Sequence, residues 1–307
     1  MKTTNHITRS TYSSKSHSHA STVSRVALAL TLTAAFLCSL ALPALAKTRV
    51  SGPPLVQISA GTTEVWGLDA AGNAYQYFGG IFNFIGAAYK QVAVGQGSDV
   101  WALGLKGHAF HWKGTTFSEV SPALEFTQIA TGGGGTWAIT SGGDVYYFNS
   151  ALIQFERFTK GPPPLAQSIF VGAAPQAVWI LDFAAQPHLY NTRTGFFDLV
   201  PGVDLLQIAV GDSETWGLDF SGQPRLYHSS PPFAFNVVPS VPLAKITLTT
   251  DAELWAVSEV DHAVYHYNPT PKTFDLVDDT QVYEQITAGN STIGVWALTS
   301  THEIYKF

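Results

Sequence analysis

The chain has very little cysteine and few charged residues. Its single cysteine, Cys38, lies in an apolar N-terminal stretch, so the rest of the chain offers no disulfide and no thiolate ligand for a metal. Only 12% of the 307 residues are charged, whereas 46% are hydrophobic. This balance excludes a disordered chain and provides enough apolar surface for a large core.

Signatures of catalysis and of metal binding are also absent. The sequence contains no Gly-x-Ser-x-Gly, Walker or His-Glu-x-x-His motif. His262 and His266 have ligand-like spacing only for a helix, because on a strand such residues lie about 13 Å apart. We therefore predict no catalytic residue, no metal and no cofactor. A lyase or hydrolase whose acid and histidine come from different repeats stays open as an alternative.

The first 46 residues have the pattern of a secretory signal peptide with a polar leader. Residues 1–25 carry four basic residues and no acid, residues 26–42 are almost wholly apolar, and an Ala-x-Ala site ends at Ala46. We expect cleavage after Ala46 and a secreted or periplasmic protein that is not inserted in a membrane. The alternative is a membrane anchor, because 17 apolar residues are close to the shortest length that spans a bilayer.

The chain that remains after cleavage is acidic. Removal of the four basic leader residues leaves 12 Lys and Arg against 22 Asp and Glu, a net charge of −10. A surface with this charge argues against nucleic acids and anionic membranes as partners.

A tryptophan recurs through the rest of the chain. Successive copies are 35 to 42 residues apart, and each is followed by a small or aliphatic residue and then by an aliphatic one. The seven copies are Trp66, Trp101, Trp137, Trp179, Trp216, Trp255 and Trp296. A period in this range predicts a repeat architecture, and the aliphatic neighbours predict that these tryptophans are buried in a core.

Each repeat contains four short runs with strand patterning, which we name a to d. Strand a has the form Gln-Ile-x-x-Gly, and strand b holds the tryptophan. Strand c alternates aromatic and polar residues, as in Tyr75–Tyr77, and strand d is more polar and often opens with Phe. Four short strands repeated seven times predict an all-β fold, a seven-bladed β-propeller of four-stranded blades with strand d outermost.

Strand d occurs six times, one fewer than strands a, b and c. The other end of the chain supplies the missing copy, because Val50 to Gln57 has the same spacing as Val200 to Gln207, which follows a strand d. We therefore predict a single domain, residues 47–307, closed by an N-terminal strand that completes the last blade. Such closure removes the open edges of the sheet.

The repeats resemble those of the tectonin family. The segments Val65–Tyr75 and Thr215–Gln223 look like that family's Val-Trp-Gly-Val-Asn string followed by Gly-x-Ile-Tyr. The resemblance covers residues 50–307 and implies a tectonin-repeat (tachylectin-like) β-propeller; many such proteins are lectins that bind microbial or methylated glycans. The familiar members have six repeats rather than seven, and their basic residues after the strand-c tyrosine are replaced here. Ligand preference is therefore not carried across.

Candidate ligand contacts follow each tryptophan at a fixed distance. Seven residues downstream, between strands b and c, stand Asn73, His108, Asp144, Gln186, Gln223, His262 and Glu303. Hydrogen-bonding groups arrayed round one face suit a hydroxyl-rich ligand; the alternative is that each caps its own turn. A sugar site also needs an aromatic surface, and Trp112 lies outside the repeat position, near His108 and His111.

These features together favour a secreted, lectin-like binding protein. We predict that it recognises glycans or cell-surface polysaccharide through repeated, individually weak sites, because multivalency raises avidity on a surface with many copies. A scaffold for protein partners is the first alternative, and the propeller lyase or hydrolase is the second.

Overall fold

Seven four-stranded sheets make up the described part of the chain. The computed structural model describes residues 47–160, 164–175 and 177–307, and the predicted signal peptide lies outside these residues. Within them the strands form seven antiparallel sheets and no helix occurs. Accordingly, none of these residues belongs to a helix long and apolar enough to cross a membrane. The predicted all-β, seven-bladed β-propeller is confirmed.

In every blade the strands are hydrogen-bonded in the order a, b, c, d. The a strands of neighbouring blades contact one another and surround a channel at the centre of the ring. From blade 1 to blade 7 they are β2 (Leu55–Ala60), β6 (Tyr89–Val94), β10 (Phe126–Gly132), β14 (Ala166–Val171), β18 (Leu205–Val210), β22 (Leu243–Leu248) and β26 (Tyr283–Ala288). The b strands are β3 (Val65–Asp69), β7 (Val100–Gly104), β11 (Gly135–Thr140), β15 (Val178–Asp182), β19 (Thr215–Asp219), β23 (Leu254–Ser258) and β27 (Val295–Thr299).

Strands c and d form the outer half of each blade. The c strands are β4 (Ala74–Phe78), β8 (Ala109–Trp112), β12 (Val145–Asn149), β16 (Pro187–Asn191), β20 (Pro224–His228), β24 (Val264–Asn268) and β28 (Ile304–Lys306). The d strands are β5 (Ile81–Gly86), β9 (Phe117–Glu119), β13 (Gln154–Arg157), β17 (Phe196–Leu199), β21 (Ala234–Val237), β25 (Thr273–Asp278) and β1 (Thr48–Val50). Strand d is outermost, as predicted.

The N-terminal strand β1 closes the ring as strand d of blade 7. It pairs antiparallel with β28 over all three of its residues. Lys47, just before it, places its Nζ 2.6 Å from Asp278 Oδ2 in blade 6 and also donates to Thr280 Oγ1. The predicted closure is confirmed, and an ion pair ties the closing strand to the preceding blade.

Aromatic rings join neighbouring blades. The seven repeat tryptophans are at most 6% exposed, and each packs against an aromatic residue of the next blade, with ring centroids 4.7–5.9 Å apart. This residue lies in strand c or, for Phe307 of blade 7, directly after it. The pairs are Trp66–Trp112, Trp101–Phe148, Trp137–Tyr190, Trp179–Tyr227, Trp216–Tyr267, Trp255–Phe307 and Trp296–Tyr77. Truncating one buried Trp typically costs about 3–5 kcal/mol, so the predicted core role of these residues has a clear physical basis.

Glutamines of strand a connect the inner edges of neighbouring blades. Gln128 donates from Nε2 to the carbonyl of Ile169 and accepts from the Ile169 amide, both at 2.9 Å. The inner edge of strand a has no neighbouring strand to pair with its backbone N–H and C=O groups. The Gln128 side chain pairs with one N–H and one C=O of this edge, much as a further strand would. Similar contacts are made by Gln57, Gln91, Gln207 and Gln285. Ser168 and Lys245 hold this position in blades 4 and 6.

Glycines allow the blades to meet at one end of the channel, where strand a turns into strand b. A Cβ on Gly61 would lie 2.2 Å from the carbonyl oxygen of Gly95, and one on Gly132 would lie 2.3 Å from that of Gly172. The backbones of neighbouring blades therefore touch here, and no larger residue fits without a shift of the main chain.

Candidate functional site

The turn between strands b and c contains a residue with a positive φ in every blade. Four blades use glycine there, and the other three use Ala185, His262 and His302. In blades 1 to 6 the carbonyl of this residue accepts a hydrogen bond from the next blade, as from the Tyr89 amide to Gly72 at 3.0 Å. In blade 7 the His302 side chain makes the contact, with Nδ1 3.1 Å from the carbonyl of Leu55. We call the face that carries these turns the b–c face, and the opposite one the a–b face.

In every blade except blade 2, which has Gly104 there, the side chain three residues after the tryptophan caps this turn. In blade 1, Asp69 Oδ1 accepts from the amides of Ala71 and Asn73, both at 2.9 Å. Burial opposes ionisation of Asp69, but its bonds from Asn73 and its neighbours lower the pKa overall. Asp182 and Asp219 do the same in blades 4 and 5, and the pKa of each is also lowered. In blades 1, 4 and 5 the turn is therefore held by a charged cap, and in blades 3, 6 and 7 by a hydroxyl cap.

Six of the seven predicted contact residues occupy one position on the b–c face, directly after the positive-φ residue. They are Asn73, His108, Asp144, Gln186, Gln223 and Glu303. In four blades the side chain is bound to a residue of its own blade. The pairs are Asn73–Asp69, His108–Glu119, Asp144–Arg157 and Glu303–Arg49, at 2.5–2.7 Å. Within the described residues no hydrogen bond or ion pair joins two of the predicted contacts.

The seventh predicted contact, His262, is displaced by one position. The b–c loop of blade 6 is one residue longer, because the amide of Ser258 donates to the carbonyl of Ala263, whereas the corresponding bond in blade 1 ends at Asn73. Ala263 is thus the equivalent of Asn73, and His262 has the positive φ. Its Nδ1 lies 3.2 Å from the carbonyl of Tyr283 in blade 7. His262 therefore links two blades.

His108, His111 and Trp112 do not form a cluster. His108 lies on the b–c face, whereas His111 reaches the a–b turn, where its Nε2 is 3.1 Å from Asp99 Oδ1. Trp112 is 6% exposed and packs edge-to-face on Trp66 with centroids 4.9 Å apart. It is the strand-c aromatic of blade 2, and its buried ring offers no open surface to a sugar. The interpretation of Trp112 as a stacking platform is therefore corrected to a core role.

His111 belongs instead to a hydrogen-bonded group at the a–b face. Its ring stacks on Trp101 with centroids 4.2 Å apart. Asp99 also accepts from Trp101 Nε1 at 2.8 Å and from Thr131 Oγ1 at 2.5 Å. Burial opposes ionisation of Asp99, yet the bonds from His111, Thr131 and Trp101 lower its pKa overall. These contacts fix the a–b turn of blade 2 and stabilise its tryptophan.

An open cleft lies between blades 4 and 5, on the outer half of the ring. Its volume is about 580 Å³, and strands β16 and β17 of blade 4 form one wall. Tyr190 and Leu199 lie on that wall, and Tyr227 and Phe233 of blade 5 face them. The Phe233 side chain is 52% exposed. We name this feature the rim cleft; its size is typical of ligand pockets, which hold about 300–1,000 Å³.

Two polar side chains of blade 4 have a fixed geometry in the rim cleft. Asn191 Nδ2 donates to Asp198 Oδ2 at 2.8 Å, and Asn191 Oδ1 accepts from the Arg193 amide at 3.0 Å. With respect to the described residues, this arrangement leaves Asp198 Oδ1 and one Nδ2 hydrogen of Asn191 available to a ligand. Aromatic surface beside an amide and a carboxylate suits a ligand that has both apolar and hydroxyl groups.

The channel is narrow at the a–b face. The cavity there is about 90 Å³ and is bordered by the inner strands of all seven blades. Gln96 reaches across it, with its Nε2 2.5 Å from the carbonyl of Ala173, two blades away. This volume is well below the usual range of about 300–1,000 Å³ for ligand pockets. The described residues contain no group of three or more His, Cys, Asp or Glu that could hold a metal ion.

Sequence reasoning missed the rim cleft because two blades build it. Tyr190 and Tyr227 have the pattern of ordinary strand-c aromatics, and both do pack on a tryptophan of the preceding blade. The local signal is Phe233, an aromatic residue that follows the polar, proline-rich segment 229–232. An aromatic side chain in such a loop has little core to enter, which points to an exposed role.

Comparison with known families gives one match. Residues 54–179 match the model of the Tectonin domain family. This stretch contains blades 1 to 3 and the start of blade 4, and it confirms the predicted resemblance to the tectonin-repeat β-propellers. No curated protein matches the sequence of this chain.

Solved propellers share the fold at low sequence identity. YCF48 from Cyanidioschyzon merolae is 14% identical, with a TM-score of 0.64 over 85% of this chain and 98% of that chain. YCF48 bound to D1 peptide is 14% identical, with a TM-score of 0.62 over 85% and 96%. Prp20p from Saccharomyces cerevisiae, described with its binding properties to Gsp1p and histones, is 9% identical, with a TM-score of 0.61 over 82% and 81%. These likenesses concern the fold alone. The propeller and the Tectonin domain support a binding or scaffold role.

Proposed function

We propose that the protein is a lectin-like propeller that binds a glycan residue in the rim cleft. The observation that carries the proposal is the grouping of Tyr227 and Phe233 with Asn191 and Asp198 around one opening. The Tectonin domain supports it as well, because the resemblance to tectonin repeats implies glycan recognition. The proposal names one cleft instead of the array of equal sites that the repeat suggested.

The chemistry of the rim cleft matches that of a sugar ring. A sugar presents a face of C–H groups and an edge of hydroxyl groups. The exposed ring of Phe233 can cover the C–H face, while Asp198 accepts from hydroxyls and Asn191 donates to a ring or hydroxyl oxygen. A hydrogen bond to a charged acceptor contributes about 1.5–3 kcal/mol, so a few such bonds are enough for weak, specific binding.

A glycan array followed by calorimetry with the selected sugar tests the proposal. We expect Asn191→Ala to weaken binding about tenfold, which corresponds to about 1.4 kcal/mol. Asn268→Ala is the matched control, because Asn268 makes the same bond to Asp275, at 3.0 Å, on strand c of blade 6. Failure to bind any glycan, or an equal loss in both variants, would contradict the proposal.

We also propose that the protein is exported and cut after Ala46. The position of the closing strand supports this, because β1 begins at Thr48 and a cut after Ala46 leaves it whole. Lys47 would keep its contact with Asp278. Mass spectrometry of the protein recovered outside the cytoplasm should find Lys47 as the first residue. An uncleaved N-terminus in cell-bound protein would contradict the proposal.

Protein binding is the second candidate function. YCF48 and Prp20p, which share the propeller fold, are described with D1 peptide and with Gsp1p and histones as partners. The b–c face offers apolar side chains for such a role, since Phe183 and Phe220 are 58% and 63% exposed.

A further inference from the structure

The b–c face of blades 4 to 7 carries a row of exposed apolar side chains. Seven of them are 41–75% exposed, and we name this row the apolar arc. Its members are Leu165, Phe183, Leu206, Phe220, Val241, Val260 and Val282. At the position of Phe183 and Phe220, blade 2 also carries an exposed apolar residue, Leu105, whereas blades 1 and 3 carry Ala70 and Ser141. A row of exposed apolar side chains across four adjacent blades is typical of an interaction site.

Hydrogen bonds between loops make the apolar arc continuous. In this region the first amide of strand a is bound to the b–c turn of the preceding blade. The bonds are Leu205 to Ala185, Leu243 to Gly222 and Tyr283 to His262, at 2.8–3.1 Å. Each bond brings arc residues of one blade beside those of the next, so the apolar side chains follow one path across four blades.

Carboxylates border the apolar arc. Five exposed acids lie within three residues of its members in the sequence, and none forms an ion pair with another described residue. They are Asp204, Glu259, Asp261, Asp279 and Glu284. Arg225, a basic residue of the same region, is already bound to Asp219 at 2.8 Å. The arc therefore combines apolar surface with unpaired negative charge, which complements a basic partner.

A recess opens in the apolar arc between blades 4 and 5. Its volume is about 520 Å³, and its lining includes Phe220, Val203 and Asp204. Arg225 and Asp219 also line it, bound to each other, so Asp204 is the lining carboxylate without an ion pair among the described residues. A long basic side chain fits such a lining, because its methylene stem packs on Phe220 and Val203 while its charged end meets Asp204. The recess thus gives the arc a specific anchoring point.

We propose that the apolar arc binds a positively charged protein segment that also carries apolar side chains. The inference rests on the protein-binding role given above as the second candidate function. It is independent of glycan binding, because the arc and the rim cleft share no residue. The apolar side chains of the partner cover Phe183 and Phe220, and its lysines or arginines meet the bordering carboxylates.

Peptide binding to the purified protein tests the proposal. The probe is a short synthetic peptide of alternating lysine and leucine, and the comparison peptide has glutamate in place of lysine. We expect Phe220→Ser and Asp204→Lys each to weaken binding of the lysine peptide about tenfold, or about 1.4 kcal/mol. Both positions are exposed, so the fold is retained. Phe84→Ser is the matched control, since Phe84 is 61% exposed on β5 of blade 1.

Zero-length carbodiimide cross-linking locates the bound peptide independently of the variants. Peptide lysines should couple to Asp204 and Glu259, and Asn191→Ala should leave both coupling and affinity unchanged. The proposal is overturned if Phe220→Ser binds the lysine peptide with unchanged affinity, or if Phe84→Ser loses as much affinity as Phe220→Ser. It is also overturned if the glutamate peptide binds equally well, or if the lysine peptide couples only to carboxylates outside the arc. If the protein binds the glycan but not this peptide, the proposed role of the apolar arc is refuted and the glycan proposal is not.

Discussion

Replacement of Asp278 by asparagine tests the closure of the ring. Asp278 has a side chain only 9% exposed and accepts from Lys47 Nζ and Tyr283 Oη, both at 2.6 Å, and from Thr280 Oγ1 at 2.9 Å. Burial opposes ionisation of Asp278, but the bonds from Lys47, Tyr283 and Thr280 lower its pKa overall. Its charge therefore stabilises the contact between the closing strand and blade 6.

The expected loss in Asp278→Asn follows from these bonds. A hydrogen bond to a charged group contributes about 1.5–3 kcal/mol and a neutral one about 1 kcal/mol, so three bonds that lose the charge should cost about 1.5–6 kcal/mol together. In a domain of this size about 1 kcal/mol shifts Tm by about 2–4 °C, which predicts a Tm lower by about 3–24 °C. Glu303→Gln is the control, because its partner Arg49 is 66% exposed and such pairs contribute at most about 1 kcal/mol.

Calorimetric melting at several pH values is the assay. The pKa of Asp278 is lower in the folded chain than in the unfolded one, so its contribution is present above the unfolded value of about 3.9 and is lost as the pH falls through the folded value. The difference between wild type and Asp278→Asn should therefore shrink in acid. Equal melting temperatures at pH 7, or an equal loss in Glu303→Gln, would refute the reasoning.

Two further substitutions test the inner ring by thermal and urea unfolding. Gly61→Ala should destabilise the protein by about 1–3 kcal/mol, because its Cβ would lie 2.2 Å from the carbonyl oxygen of Gly95. Gly142→Ala is the control and should not destabilise it, since no atom would lie nearer than 3.9 Å to the new Cβ. Equal stabilities of the two variants would contradict the close contact. Gln128→Ala should cost about 1–2 kcal/mol by removing two bonds between blades 3 and 4. Ser168→Ala, at the same position in blade 4, should be nearly neutral, and a similar loss in both would argue against the glutamine contact.

The sequence was sufficient to predict the number of blades and the way the ring closes. Every blade gives Trp66 and its counterparts the same environment, so the same residue recurs there and the repeat is visible. Strand d at the N-terminus was predictable because the count of strands was unequal and the spacing around Val50 matched that around Val200.

Relations between blades were harder to predict, because periodicity describes one repeat at a time. Gln128 recurs in most blades, yet nothing local shows that its amide reaches Ile169 of the next blade. Counting a fixed number of residues from the tryptophan also identifies the wrong position when a loop is one residue longer. In blade 6 the structural equivalent of Asn73 is therefore Ala263 and not His262. Trp112 seemed exceptional as a residue type, although its position is that of every strand-c aromatic.

A crystal structure of the protein with the glycan selected on the array tests the central claim most directly. The proposal predicts one sugar ring in the rim cleft, stacked on Phe233 and hydrogen-bonded to Asn191 and Asp198. A sugar bound on the b–c face or at the mouth of the channel, with the rim cleft empty, would contradict it.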